Sequence, residues 1–311
     1  MTSRRLFKTP AFWLGIILSL ALSACSDHDP VGKNYQPVFF KERQVPQHEY
    51  HFAIHPLHNP ERLFKIFNPL IEYLNQHIPE AHFTLEASRD YPAFDEKLKH
   101  RSVDFALPNP YQTLLAIQHD YRVFAKMGDD YNFRGLILVR KDSNIKHPAD
   151  LVGKSISYPA PTALAATMLP QFFLKTHGLD VLHEADNRYV GSQESVIMNV
   201  FHGETDAGAT WPIPWLTLTE ERPELKKHLK VIWQTQTLPN NSVIAKDSIP
   251  PELVQKVQLT LRDMYLSRAG RDILKLMQIS RFEEANNHTY DKVASFIQQF
   301  REQVRDPDKN G

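Results

Sequence analysis

One stretch of the chain has residue types suited to holding an anion. Pro148 to Ala163 reads PADLVGKSISYPAPTA: a strand-like run ending at Tyr158, a turn stiffened by Pro159 and Pro161, and a helix beginning near Thr162. The first amides of a helix have no partner within it, and the macrodipole adds partial positive charge there. The Thr162 hydroxyl and the amides beside it, at the carboxyl end of a strand, therefore suit an oxyanion. The same hydroxyl could instead cap the helix with nothing bound. Signatures of other chemistries are missing. The chain has no GxSxG, HExxH, GxxxxGK[ST] or GxGxxG, so neither an enzyme nor a cofactor is indicated. Of its fifteen histidines, His51, His55 and His58 lie close together. On a strand His51 and His55 share a face while His58 falls in the next turn, so solvated or singly bonded histidines are expected rather than a metal site.

The elements that must position such a site follow an alternating rhythm. Asn59 can cap a helix whose first turn holds Pro60 and Glu61, with Leu63, Phe64, Phe67, Leu70, Ile71 and Leu74 on one face and a kink expected at Pro69. Strand-like and helical runs then alternate from His82 to Ala125, which is a βαβ pattern. Arg134 to Arg140 (RGLILVR) is a further strand, and the rhythm restarts through Ile156–Tyr158, Thr162–Thr176, Asn187–Val190 and Glu194–His202. Two α/β units are implied. Lys230–Gln234 and Ser242–Ala245 read as strands returning toward the first unit, and helices follow to Arg305. Asp306 to Gly311 reads as a frayed tail.

The amino-terminal residues read as an address. Arg4, Arg5 and Lys8 precede an uncharged apolar run, Ala11 to Leu22. That run is a signal-peptide pattern; twelve helical residues reach about 18 Å, short of the ~30 Å hydrocarbon core. Leu22-Ser23-Ala24-Cys25 resembles a bacterial lipobox, which makes Cys25, the chain's single cysteine, the expected lipidation site. Acyl chains on one cysteine anchor a protein without a helix. An ordinary cleavage nearby, leaving Cys25 a plain thiol, is the alternative. Ser26 after the cysteine would permit transfer to the outer membrane of a Gram-negative cell. The expected organisation is a lipoprotein signal peptide (1–24), a lipidated tether (25–48), one lobe from 49–135 and 240–305, and a second lobe from 136–239.

Several motifs, in order, resemble the phosphonate/phosphite-binding components of ABC importers. They are Pro56 after the first strand, Pro69-Leu70-Ile71-Glu72-Tyr73-Leu74, Asp90-Tyr91, Val103-Asp104-Phe105-Ala106 leading to Asn109-Pro110-Tyr111, Asp150-Leu151-Val152-Gly153-Lys154, Gly191-Ser192-Gln193-Glu194, and Gly203-Glu204-Thr205-Asp206-Ala207-Gly208-Ala209. The resemblance runs from about Tyr50 to Gln299. It implies the type II periplasmic binding protein fold, a two-lobed α/β Venus-flytrap in which each lobe is a mixed sheet flanked by helices. Two hinge strands would join the lobes near Arg134–Leu138 and Trp233–Val243. Carried over by position, Tyr91, Asn109 and Tyr111 would line the first lobe. Thr162 and the amide of Ala163 would hold oxyanion oxygens, and Gln193 and Asp206 would close from the second lobe. Trp211, added from its place after Ala209-Thr210, would form a wall. Two positions depart from the family: its Ser-Thr-Ser-Gly run stands here as Pro161-Thr162-Ala163-Leu164, and its Gly-Ser-His histidine as Gln193. Both changes remove strong donors, and charge-assisted hydrogen bonds are roughly twice as strong as neutral ones.

The resemblance implies a non-enzymatic, monomeric carrier without cofactor, lipid-anchored in the bacterial envelope at the outer or inner membrane. It would pass a small anionic ligand to an inner-membrane ABC permease. The alternative is an envelope lipoprotein that reports its ligand to a membrane partner such as a histidine kinase. The 311 residues carry 36 Lys+Arg and 36 Asp+Glu, so no basic footprint for nucleic acid exists. Removing residues 1–24 takes away three basic residues and no acidic one, leaving a net charge near −3. An anion would then be attracted by local donors, not by the molecule's overall field.

Overall fold

The computed structural model describes residues 48–309, so the expected signal peptide, Cys25 and nearly all of the tether lie outside the described residues. Two mixed sheets organise this part of the chain. The first contains β1 (His48–Ile54), β2 (Ala81–Glu86), β3 (Phe105–Leu107), β4 (Tyr121–Met127), β10 (Ser242–Lys246) and β11 (Phe282–Glu284), in the order β11-β4-β10-β3-β1-β2. The second contains β5 (Arg134–Arg140), β6 (Ser155–Tyr158), β7 (Asp186–Tyr189), β8 (Ala207–Thr210) and β9 (Leu229–Thr237), in the order β7-β6-β8-β5-β9. β1 is parallel to β2 and β3, whereas β10 runs antiparallel to β3 and β4. β6 is likewise parallel to β7 and β8, and β5 antiparallel to β8 and β9. Each sheet thus combines parallel crossovers with a strand that enters or leaves the other lobe.

Helices cover the sheets: α1 (Pro60–His77), α2 (Tyr91–Lys99), α3 (Pro110–Ile117), α8 (Pro251–Asp263), α9 (Arg268–Leu276) and α10 (Asp291–Gln303) in the first lobe, and α4 (Leu169–Thr176), α5 (Gln193–His202), α6 (Pro212–Glu221) and α7 (Glu224–His228) in the second. Local sequence explains their starts. Asn59 accepts from the Arg62 amide at 3.0 Å and Pro60 occupies the first turn. α1 runs through Pro69 as one helix, burying Leu63, Phe67, Leu70 and Leu74. Alternation on β5 decides the second lobe's packing: Ile137 and Val139 join the core under α4, while Leu136 and Leu138 join the one under α5 and α6.

β8, α6, α7 and β11 were not expected from sequence. β8 reads Ala-Gly-Ala-Thr, which lacks the branched and aromatic residues that mark strands. Its small residues have a packing reason. A Cβ on Gly208 would come 2.6 Å from Val200 Cγ2 and 2.9 Å from Ser157 Oγ, so only glycine lets α5 and β6 sit this close.

The chain crosses between lobes at 128–133 and 238–241, and the crossings are tied together. The Leu238 amide donates to Phe133 O at 3.1 Å, Asn240 Nδ2 to Gly128 O at 2.8 Å, and the Asn240 amide to Asp130 Oδ1 at 2.9 Å. The Tyr290 hydroxyl fixes Asn240 O at 2.6 Å from the first lobe. The carboxyl terminus corrects an expectation: residues 306–309 are folded back, not frayed. Asp306 and Asp308 pair with Arg301, and Arg305 Nη2 donates to Pro161 O of the second lobe at 2.6 Å.

Candidate functional site

The carboxyl ends of β1, β3, β6 and β8 converge on one small pocket between the lobes, the crevice where open α/β sheets bind ligands. From the first lobe come His55, Tyr91, Asn109 and Asn241; from the second, Ala163 to Ala166, Gln193 and Trp211, with Phe133 at the crossing. The cavity they enclose is about 10 Å³, room for about one water molecule, so the two lobes lie almost in contact around it.

Its donors are neutral. After Tyr158 the chain turns and enters a single π-helical turn, Leu164–Met168, that continues into α4. The first bond within this helix runs from the Thr167 amide to Ala163 O at 2.8 Å, and no side chain caps the start. The N–H groups of Leu164, Ala165 and Ala166 precede that bond and have no partner among the described residues. Small side chains at 163, 165 and 166 let this backbone form the pocket wall. Gln193 begins α5 and its Oε1 accepts from Thr210 Oγ1 at 2.9 Å. Across the cleft, burial pushes the pKa of the Tyr91 phenol above its ordinary value; the hydrogen bond with Gln193 opposes the shift, while Asp95 and Glu194 add to it. Tyr91 therefore stays protonated as a donor.

Two further groups offer acceptors. His55 Nδ1 lies 2.9 Å from Leu107 O, and burial pushes the ring down to about 4, so the imidazole is neutral with Nδ1–H donating and Nε2 free to accept. Asn241 is fully buried; Nδ2 faces Met127 Sδ at 3.6 Å and Oδ1 has no partner among the described residues. Among the described residues the pocket wall contains no lysine, arginine or carboxylate.

The family model for the ABC transporter phosphonate periplasmic substrate-binding protein matches residues 52–290. The chain belongs to that family. Solved structures share the fold at low identity. A binding protein component of an ABC phosphonate transporter from Pseudomonas aeruginosa is 16% identical, with 83% of this chain and 88% of that chain covered and a TM-score of 0.76. PhnD1 from Prochlorococcus marinus in complex with methylphosphonate is 18% identical over 81% and 97%, with a TM-score of 0.73. A Xanthomonas citri protein bound to ATP is 17% identical over 83% and 99%, with a TM-score of 0.66.

In this binding protein the structure brings five of the eight sequence-derived site residues to the pocket: Tyr91, Asn109, Ala163, Gln193 and Trp211. Two of them act differently from expectation. Asn109 caps α3, accepting from the Gln112 amide at 3.0 Å, and its Nδ2 donates to Thr162 O across the cleft at 3.3 Å. The Ala163 amide is spent on Ala160 O at 3.2 Å, so the next three amides are the free ones. Thr162 is buried beside the pocket, joined to Asn109 through its carbonyl, and its hydroxyl does not form the wall.

Tyr111 and Asp206 lie elsewhere. The Tyr111 hydroxyl donates to Asp308 Oδ1 at 2.5 Å in the groove between α3 and α10. Asp206 precedes β8 at the amino ends of β6 and β8, opposite the pocket, where Oδ2 accepts from the Ser155 amide at 2.9 Å and Ser155 Oγ at 2.8 Å. Burial raises the Asp206 carboxyl, but those bonds and Lys154 outweigh it and the net shift is downward. Its work is to pin two strands together.

Sequence reasoning missed His55, Phe133, Asn241 and the amides of 164–166. The signals were present for two of them: His55 directly follows the apolar run of β1, and Asn240-Asn241 interrupts apolar residues just before a return strand.

Proposed function

We propose that this family member captures a small tetrahedral oxyanion, a phosphonate or phosphite, between its lobes and passes it to an ABC permease, held at the membrane by lipid on Cys25. The observation that carries the reading is the uncapped helix start, where three consecutive amides face a compact pocket. Such a terminus attracts an anion by about 0.3–1 kcal/mol at exposed sites and up to ~2 kcal/mol when partly buried. Tyr91 adds a neutral donor. With no cation in the wall, a dianion finds no compensating charge, whereas a singly protonated phosphonate or phosphite can donate its O–H to the free acceptor at Asn241. With a cavity of about 10 Å³, even a phosphonate enters only when the lobes part, and a nucleotide would require them to part much further. Closure is hinge motion about 128–133 and 238–241, and ligand is retained by stabilising the closed arrangement, with no covalent step.

A thermal-shift panel on the full chain tests the reading. Methylphosphonate or phosphite should stabilise it by ~2.7 kcal/mol at a hundredfold excess over Kd. The effect should shrink as pH rises through the ligand's second ionisation. Stabilisation by neutral or cationic solutes alone would refute the oxyanion reading. The anchor has its own check: Cys25→Ser should move the protein from the membrane fraction to the soluble one.

A further inference from the structure

Beside the pocket, on its α1 side, polar and charged side chains of the two lobes meet out of reach of the ligand. Glu194 follows the pocket residue Gln193 in the first turn of α5, and its Oε1 lies 3.2 Å from His58 Nδ1 and 3.2 Å from Arg62 Nε of the first lobe. Arg62 Nη2 also reaches Glu221 of α6 at 2.6 Å. The side chains of His58, Glu194 and Arg62 are 2%, 14% and 16% exposed, so the lobes exclude most of the water around them. His58 and Arg62 belong to the β1–α1 segment and Glu194 to α5, so these contacts exist only while the lobes touch.

We propose that Glu194 is a positioning residue that couples ligand capture to closure, by supplying the counter-charge that lets Arg62, and the partner that lets His58, lose water when α5 swings onto the first lobe. The inference rests on the capture reading above and adds a residue that the ligand does not touch. Two details bear on how such a latch works. Glu194 Oε2 and Arg62 Nε and Nη1 are buried without hydrogen-bond partners, so the cluster is only partly satisfied. A partly satisfied buried ion pair returns little net stabilisation, yet removing one member strands the opposite charge. The latch therefore leaves the open and closed forms close in free energy, and the ligand tips the balance. The same arrangement places Gln193: when Glu194 docks, its neighbour is brought to the Tyr91 hydroxyl.

The test uses the full chain purified in detergent, with methylphosphonate as probe. Glu194→Gln should weaken binding at least tenfold, chiefly through faster dissociation, and should enlarge the ligand-free particle in small-angle scattering because the open form gains population. The double variant Arg62→Gln/Glu194→Gln, which removes both charges, should recover to within about threefold of wild type. Recovery separates the latch from a direct electrostatic effect on the ligand, since deleting Arg62 as well would then weaken anion binding further. Unchanged or tighter binding by Glu194→Gln, or a double variant as weak as the single one, overturns the proposal. A loss of unliganded melting temperature large enough to explain the affinity change also overturns it, by making Glu194 a folding residue. If the wild type binds no oxyanion, the capture reading fails by itself; the latch is then decided by scattering, with an unchanged particle size in Glu194→Gln counting against it.

Discussion

The two seams that join the lobes on either side of the pocket are built from opposite chemistry. On the α1 side the contacts are ionic: His58 and Arg62 against Glu194 and Glu221. On the α10 side they are mainly aromatic and neutral. Phe296 of α10 meets Phe172 of α4 edge-on at 5.3 Å, and Arg305 at the end of the folded tail donates to Pro161 O and Gln171 Oε1 while lying over the Phe300 ring. Water can replace ionic contacts at small net cost, whereas separating Phe172 from Phe296 exposes apolar area at about 25 cal/mol per Å². The difference assigns the seams different work. Combined with the capture reading, it predicts that the ionic seam is the one that opens and closes, with the aromatic one as the fixed side about which closure occurs.

Breaking the fixed side should have the largest effect. Phe296 is 2% exposed and packs on both Phe172 and Phe300. Phe296→Ala should lower stability by ~3–5 kcal/mol in urea unfolding, the usual cost of truncating a buried phenylalanine. A cost below ~1 kcal/mol would mean that the aromatic seam is as easily separated as the ionic one.

A carboxylate outside any ion pair among the described residues sharpens the contrast. Glu194 is held below its ordinary range: burial raises it, but His58 and Arg62 more than compensate. Asp95, behind Tyr91, receives 2.6 Å donation from Gln112 Nε2 and makes no ion pair among the described residues, and burial pushes it up to about 6 against the opposing Lys99. A carboxyl raised on folding binds its proton more tightly in the folded state than in the unfolded one. Its unfavourable contribution is therefore full above pH 6 and is relieved as pH falls from 6 toward 4. Asp95→Asn should accordingly raise stability by ~2 kcal/mol at pH 8 and by almost nothing near pH 4. Equal effects at both pH values would show that Asp95 is not desolvated, and that the partners beside Glu194 are not what sets the two carboxylates apart.

The tail's hydrogen bonds come next. Arg305→Gln removes the guanidinium donation to Pro161 O, just upstream of the uncapped amides, and should cost about 1 kcal/mol in stability. It should also weaken methylphosphonate binding two- to fivefold by loosening the Pro161–Thr162 turn. Unchanged affinity would confine the strap to stability and leave the helix start positioned by its own lobe.

The fold was far more legible than the site, for identifiable reasons. Period and caps announced most strands and helices: Asn59-Pro60 opened α1, and RGLILVR marked β5 with its two packing faces. What local pattern could not announce was β8, where packing against α5 selects Ala-Gly-Ala-Thr over strand-forming residues. The site was legible where pocket-lining residues begin helices, as with Tyr91, Gln193 and Trp211, because the same residues delimit elements. It was illegible where burial and long-range partners decide. His55 reads as one histidine among fifteen until β3 covers it, and Asn241 reads as a turn residue until the crossing buries its Oδ1. Asp206 misled because a carboxylate at a strand end suits a ligand and a strand clasp equally well; only the register, Ile156 against Ala207, places it at the wrong end of the sheet.

Tyr111 supplies the smallest predicted effect and a check on the pocket's limits. It sits one residue past Pro110, two from the pocket residue Asn109, yet α3 turns its ring toward α10 and away from the cleft. Its hydroxyl binds Asp308, which Arg301 holds independently at 2.6 Å, so removing the hydroxyl leaves the tail still tethered. Tyr111→Phe should change stability by no more than ~0.5 kcal/mol, in the range of exposed contacts, and should leave methylphosphonate affinity within twofold. Tyr91→Phe, by contrast, deletes a buried hydroxyl that Gln193 hydrogen-bonds and that can donate to a ligand, and should weaken binding about tenfold, near the ~1.4 kcal/mol that one such bond to an anion represents. If the two tyrosines prove equally sensitive, the binding surface extends along α3 to the aromatic seam, and ligand would be gripped from the fixed side as well as by the moving one.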